Sequence, residues 1–144
     1  MPVPALKIVP DSNVIISGSL WRGPSSRVFD YARAGNVIVC ASPLILEECV
    51  QVLRDERFAV FLKAHRTSPD ELVRALEKIA AILPDVVLPG VVADDPNDNI
   101  ILGCAAAHGA DYIVSGDHHL QDLREFAGIT IVSPRQFVTL WEKS

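Results

Sequence analysis

Val37 to Ala41 is five consecutive apolar residues, three of them β-branched, and Ser42-Pro43 follows without a spacer. An apolar run without alternation is buried on both faces, as strands are in a parallel sheet covered by helices. Serine before proline is the signature of an N-cap and a first helical residue. The same order recurs at both ends of the chain. Leu6 to Val9 leads into Pro10-Asp11-Ser12-Asn13, and Ile129 to Val132 leads into Ser133-Pro134. Tyr112 to Ser115 is another such run, and Val86 to Leu88 reads as a short strand. Pro10 cannot donate to a ladder, so the first strand must stop at about that residue.

Between these runs the apolar spacing is helical. Ser25 to Ala34 carries Val28, Phe29, Tyr31 and Ala32 and is stopped by Gly35-Asn36. The helix opened by Pro43 runs to about Glu56, with Ile45, Cys49, Val52 and Leu53 on one stripe. Phe58 to His65 is helical. Ser68-Pro69-Asp70-Glu71 is a capping box that opens a helix through Leu72, Leu76, Ile79, Ala80 and Leu83 to Pro84. Asp95-Pro96 starts a helix that stops at Gly109, Leu120 to Phe126 is a short helical stretch, and Phe137, Leu140 and Trp141 lie on a last helix. Five strands alternating with helices over short links predict a three-layer α/β/α sandwich with a central parallel five-stranded sheet.

The 144 residues make most simply one domain, with a core that needs neither disulfides nor a structural metal. Cys40, Cys49 and Cys104 are odd in number and form no C-x-x-C pair, which reads as a reducing cytoplasm. No segment reaches the ~18 apolar residues of a membrane span, and Met1-Pro-Val-Pro4 lacks the order of a signal peptide. The net charge of −5 is unevenly spread: residues 1 to 66 hold eight Lys/Arg against six Asp/Glu, residues 67 to 144 five against twelve. Such a division could let one half hold a phosphate backbone and the other a cation, although halves this unequal also arise by chance.

Acidic residues stand where apolar elements begin or end. In open parallel sheets, sites form beyond the carboxyl ends of the strands. Asp11 and Asp117 are at two such ends, Glu48 lies within two turns after a third, and Asp98 is near the start of the helix before the fourth. At about 100° per residue, Glu48 falls at the margin of its helix's apolar stripe while Glu47 points nearly opposite. Asp98 shares a face with Ile101 and Leu102. Converging carboxylates repel one another unless a cation neutralises them. Oxygen ligands without zinc-spaced cysteine or histidine select Mg2+ or Mn2+, and an ion that keeps waters can activate one for phosphodiester hydrolysis. Each residue also has a local reading. Asp11 could make an Asx turn, Asp95 and Asp117 could cap helices, Asp98 could complete a capping box with Asp95, and His118 and His119 could be surface residues.

Asp11-Ser12-Asn13-Val14, Ser42-Pro43 through Glu47-Glu48, Asp95-Pro96-Asn97-Asp98-Asn99, and Ala110-Asp111-Tyr112 through Ser115-Gly116-Asp117 together resemble the PIN-domain nucleases. Within that family the chain is similar to the single-domain, VapC-like toxin components of prokaryotic toxin–antitoxin pairs. The resemblance implies an acidic pocket for Mg2+ or Mn2+ and cleavage of RNA that leaves a 5′-phosphate. It assigns Asp11, Glu48, Asp98 and Asp117 as catalytic metal ligands, with Glu47 the alternative to Glu48. Asn13 and Ser115 become orienting groups, Asp95 a supporting one. It further implies an antitoxin whose basic segment blocks the cleft, and a homodimer. Pro10 and Ser12 depart from the family's commoner aliphatic and threonine. Trp21-Arg22, Arg27 and Arg33, near Asp11 in the chain, are candidate phosphate contacts; a solvated helix face explains them about as well.

A non-catalytic module that docks RNA or a partner protein is the alternative from another class. A haloacid-dehalogenase-like phosphohydrolase is the rival enzyme. That chemistry wants a second aspartate where Asn13 stands and a lysine between the motifs, where only Lys63 and Lys78 are on offer, both on predicted helices.

Overall fold

The computed structural model describes residues 5–89 and 93–143; Met1-Pro-Val-Pro4 lies outside them. In chain order the strands are β1 (Leu6–Pro10), β2 (Val37–Ala41), β3 (Ala80–Ile82), β4 (Tyr112–Val114), β5 (Glu125–Phe126) and β6 (Ile129–Val132). The helices are α1 (Ser12–Leu20), α2 (Pro24–Arg33), α3 (Pro43–Leu53), α4 (Ala59–Ala64), α5 (Pro69–Glu77), α6 (Pro96–His108), α7 (His118–Leu123) and α8 (Pro134–Lys143).

The strands form one sheet in the order β3-β2-β1-β4-β6-β5. Every pairing is parallel except β5 with β6. The sheet therefore has six strands rather than the expected five. Val86 to Leu88 is not a strand. Its expected place is taken by β3, because α5 stops at Glu77, before Ile79 and Ala80, and not at Pro84. The added β5 folds back on β6 through Ala127-Gly128, whose φ angles of 51° and 81° suit the tight turn of a twisted hairpin.

Pro10 is the last residue of a central strand, yet it leaves no donor wasted. The Asp11 amide donates to the Val114 carbonyl on the β4 side, so the Pro10 nitrogen faces β2, whose registered pairs with β1 end at Ile8 and Val39. From β1 the chain steps outward to β2 and β3, then returns across β1 to β4 and β6. With the right-handed crossovers of parallel strands, the helices up to α5 cover one face and α6 and α7 the other. α8 packs back beside α2. The reversal of strand order between β1 and β4 opens a crevice at their carboxyl ends.

The α3 start is capped from a distance. Ser42 occupies the N-cap position without a side-chain cap bond, and the Leu44 amide donates instead to Asp85 Oδ2 at 3.0 Å. Asp85 belongs to the irregular segment after β3, which lies so close to α6 that a Cβ on Gly103 would stand 2.4 Å from the Val86 carbonyl oxygen. Alanine in mid-helix normally stabilises by ~1 kcal/mol over glycine. Here a backbone atom would have to move, at ~1–3 kcal/mol or more. Gly103→Ala is therefore expected to lower the urea midpoint, and a rise would show that the Val86 segment yields freely. Cys40, Cys49 and Cys104 are all buried free thiols. Among the described residues no helix is long and apolar enough to cross a membrane.

Candidate functional site

Asp11, Glu48, Asp98 and Asp117 line one cavity of about 70 Å³ at the crevice. Ser12, Asn13, Asp95, Asn97 and Ile101 complete its lining, and no Lys or Arg is among them. Each acid arrives on a different element. Asp11 follows β1 and is the N-cap of α1, Glu48 stands in mid-α3, Asp98 in the first turn of α6, and Asp117 caps α7 three residues beyond the end of β4 and two beyond Ser115. Glu48 faces the cavity while its neighbour Glu47 is exposed and does not line it.

The local roles expected of these residues coexist with the shared cavity. Asp11 Oδ1 accepts from the Val14 amide at 2.8 Å. Its Oδ2 accepts from the Ser115 hydroxyl. Asp117 Oδ1 accepts from the His119 amide at 2.9 Å, and Asp95 Oδ1 accepts from the Asn97 amide at 2.9 Å. A carboxylate oxygen has more than one lone pair, so such bonds orient a ligand without using it up. Asp98 differs: it is 7% exposed and has no side-chain hydrogen bond among the described residues.

Ser115 joins the two halves of the crevice. It is fully buried, its hydroxyl donates to Asp11 and accepts from the Asp117 amide at 3.0 Å, and its carbonyl accepts from Gln121 Nε2 at 2.7 Å. Its own amide donates to the Val132 carbonyl of β6 at 2.9 Å. Serine 115 thus does not line the cavity but sets where Asp11 and Asp117 stand.

The acids sense one another. Burial above all holds the Asp11 carboxyl above its ordinary range; Asp117 and Glu48 push the same way, while Ser115 and the Val14 amide pull back. Burial, then Asp117, Asp95 and Asp11, push Asp98 up to about 6, with His119 opposing. Without a cation, Asp11 and Asp98 therefore hold a proton more readily than a free carboxyl does. Among the described residues no three acidic, histidine or cysteine side chains are close enough to chelate one ion directly. The donor set still fits a hard cation of the magnesium kind, which takes one or two carboxylates directly and keeps several waters. A space of about 70 Å³ has room for such waters.

Two features escaped the sequence reading. Asn97, inside the Asp95-Pro96-Asn97-Asp98 motif, lines the cavity beside the acids. His119 lines an adjoining cleft of about 360 Å³ with Asp94, Asp95, Asp98 and Leu123, so it is at the mouth rather than on remote surface. Of the candidate phosphate contacts, Arg27 is tied to Glu142 and Arg33 to Asp30, whereas Arg22 has no ion-pair partner among the described residues. Glu142 stands eight residues into α8, ~12 Å along it from the carboxyl edge of the sheet, which keeps Arg27 away from the acids.

Comparison with known proteins agrees with this architecture. The structure superposes on VapBC2 from Rickettsia felis bound to a DNA fragment from their promoter, with a TM-score of 0.57 and 10% identity over 88% of this chain and 97% of that one. It also superposes on the T. brucei RRP44 PIN domain, with a TM-score of 0.51 and 13% identity over 96% of this chain and 82% of that one. At such identities the likeness is one of fold. No curated protein matches the sequence at a significant level. A family model described as PIN domain matches residues 7–119, from β1 to the first turn of α7, a span that contains every residue lining the acidic cavity. With that match over most of its length, the chain belongs to the PIN-domain family.

Proposed function

We propose that this chain is a metal-dependent endoribonuclease of the VapC-like kind, with Asp11, Glu48, Asp98 and Asp117 holding Mg2+ or Mn2+, some of them through water. The observation that carries the reading is the meeting of four carboxylates from four elements in one cavity with no basic lining residue. Bound there, the ion would neutralise the acids and supply an activated water for attack on phosphorus. Hydrolysis adds water across the phosphodiester and leaves a 5′-phosphate and a 3′-hydroxyl. Asp98, which makes no side-chain hydrogen bond among the described residues, keeps both carboxylate oxygens for the ion or its waters. Asn13 and Asn97 offer neutral amide donors to phosphate oxygens that the carboxylates would repel.

Ser115 acts as a positioning residue in this reading. Ser115→Ala removes both the donor to Asp11 and the acceptor for the Asp117 amide. It is expected to lower kcat/KM on RNA by ~10–100-fold, the usual cost of losing an orienting group behind a ligand. Ser115→Thr, which keeps the hydroxyl, should recover part of the loss. A variant of full activity would show that Asp11 holds its place unaided.

The proposal extends to the role of toxin with an antitoxin partner, a reading favoured by the fold likeness to VapBC2, and to the homodimer that the family resemblance implies. The phosphohydrolase alternative loses support because Lys63 and Lys78 stand on α4 and at the α5 terminus, and neither lines the cavity. The test is incubation of the purified chain with end-labelled RNA in Mg2+, Mn2+ or EDTA, alongside Asp11→Asn, with a phosphate monoester as a second substrate. Cleavage that needs the ion and Asp11 is expected. Cleavage indifferent to EDTA, or turnover of the monoester alone, defeats the proposal, and RNA binding without any turnover favours the non-catalytic module.

A further inference from the structure

With its ion and the Asn13 and Asn97 amides the acidic cavity can meet only the scissile phosphate, so a nuclease built this way must grip the rest of its polyanionic substrate elsewhere. The structure offers a place at the far ends of the two helices that bring in Asp11 and Glu48. α1 runs nine residues, ~13 Å, from Asp11 to its C-cap Trp21, and α3 ends six residues beyond Glu48 at its C-cap Arg54. Trp21 is 40% exposed and meets the 37%-exposed Phe61 of α4 edge to face, with ring centroids 4.9 Å apart. Arg57 lies over the Phe58 ring at 4.8 Å. The platform is fixed from below by a cluster of Ile16, Leu20, Leu53, Phe58 and Leu62. From the side, His65 Nε2 lies 2.9 Å from the Leu20 carbonyl oxygen and ties the end of α4 to the end of α1.

On the segments that carry these rings, Arg22 follows Trp21, Arg54 caps α3, and Lys63 and Arg66 lie within five residues of Phe61; all four are exposed and have no ion-pair partner among the described residues. Across residues 54 to 66 there are four Lys/Arg against Asp55 and Glu56, in a chain whose net charge is −5. Exposed rings with free cations on the same segments form the combination that takes single-stranded nucleic acid, bases on the rings and phosphates on the cations. A basic protein segment would be repelled here and suits the acidic cavity instead.

We propose that Trp21 and Phe61, with Arg22, Arg54, Lys63 and Arg66, form a stacking platform for an unpaired stretch of RNA flanking the scissile bond, one helix length from the acids. The inference rests on the ribonuclease reading. It selects single-stranded over duplex substrate, since bases in a duplex have no free faces to stack.

The experiment titrates the full chain in EDTA with a fluorescein-labelled oligouridylate of about twenty nucleotides, read by anisotropy, and compares KM with kcat in Mg2+. Trp21→Ala and Phe61→Ala are each expected to raise Kd about ten-fold, the loss typical of one stacking ring. Arg22→Glu with Arg54→Glu should raise Kd as much and flatten its salt dependence. In turnover, the rise in KM on the long substrate should exceed any fall in kcat, and a trinucleotide should be affected far less. Should the ring variants unfold, as circular dichroism would report, the charge-reversal pair decides, because both arginines are exposed. Unchanged Kd in the charge-reversal pair and in every folded ring variant, equal competition by duplex RNA, or a change confined to self-association in sedimentation overturns the platform. An inactive wild type that still binds RNA in EDTA through these residues would instead refute the nuclease reading and leave the platform standing.

Discussion

Asp98→Asn is expected to cut RNA cleavage by about 10²–10³-fold while making the metal-free protein harder to unfold. The two effects share one cause. Burial first, then Asp117, Asp95 and Asp11, raise the Asp98 carboxyl from 3.8 to about 6 in the folded chain. Between those values the native state binds the proton more tightly than the unfolded state. Stability therefore falls as pH rises from about 4 to about 6, and the penalty is fully present above that. In full, such a shift corresponds to ~3 kcal/mol; screening by water in the open cavity brings it to ~1–2 kcal/mol. Asparagine carries no charge to repel, so the variant should melt a few degrees above the wild type at pH 7.5 in EDTA. The difference should vanish near pH 4. Added Mg2+ should raise the melting temperature of the wild type and much less that of the variant, because binding to the native state alone is what stabilises. A variant that melts below the wild type at pH 7.5, or that retains its cleavage rate, contradicts the assignment of Asp98.

The second large effect lies outside the family match, which ends at residue 119. Phe137→Ala should cost ~3–5 kcal/mol in urea denaturation, against the ~5–15 kcal/mol that holds most domains folded. Phe137 is 1% exposed, meets Tyr112 of β4 edge to face with centroids 5.6 Å apart, and stacks on Trp141 at 6.4 Å. Truncation would open a void between the sheet and α8, which also carries Glu142 to Arg27 and Trp141 to Tyr31. A loss under ~1 kcal/mol would mean that α8 adds little to the core.

The elements legible in the sequence were those whose boundaries have their own chemistry. Ser42-Pro43, Ser68-Pro69, Asp95-Pro96 and Ser133-Pro134 opened helices where expected, and the uninterrupted run from Val37 to Ala41 is a strand buried within the sheet. β3 was hidden because Ile79, Ala80 and Leu83 extend the helical period of α5, so tertiary pairing with β2 overrode the local pattern. β5 was hidden for want of length: two residues have no periodicity. The start of α1 went unread since Val14-Ile15-Ile16 are poor helix formers; Asp11 capping the Val14 amide compensates.

The four acids were expected together from their places at strand ends and early in helices and from the family resemblance, and they line one cavity. The capping of Asp95 and Asp117 was also foreseen, and it orients these side chains without removing them from the cavity. What the chain could not disclose was how Ser115 connects them, or that His119 turns toward Asp98. Both depend on distances that only closure of the sheet defines. Among the basic residues, Arg22 and Arg27 looked alike until Glu142 occupied one of them.

The bond from Ser115 to Asp11 spans 104 positions, and Ser115 is itself held by Val132. A nascent polypeptide leaves the ribosome amino end first, so Asp11 emerges long before the groups that fix it. Until Val132 has cleared the exit tunnel, the acids hang on an unfinished sheet. A product cut short between Asp117 and Val132 would carry all four carboxylates and yet lack the strand that holds Ser115, and through it Asp11, in place.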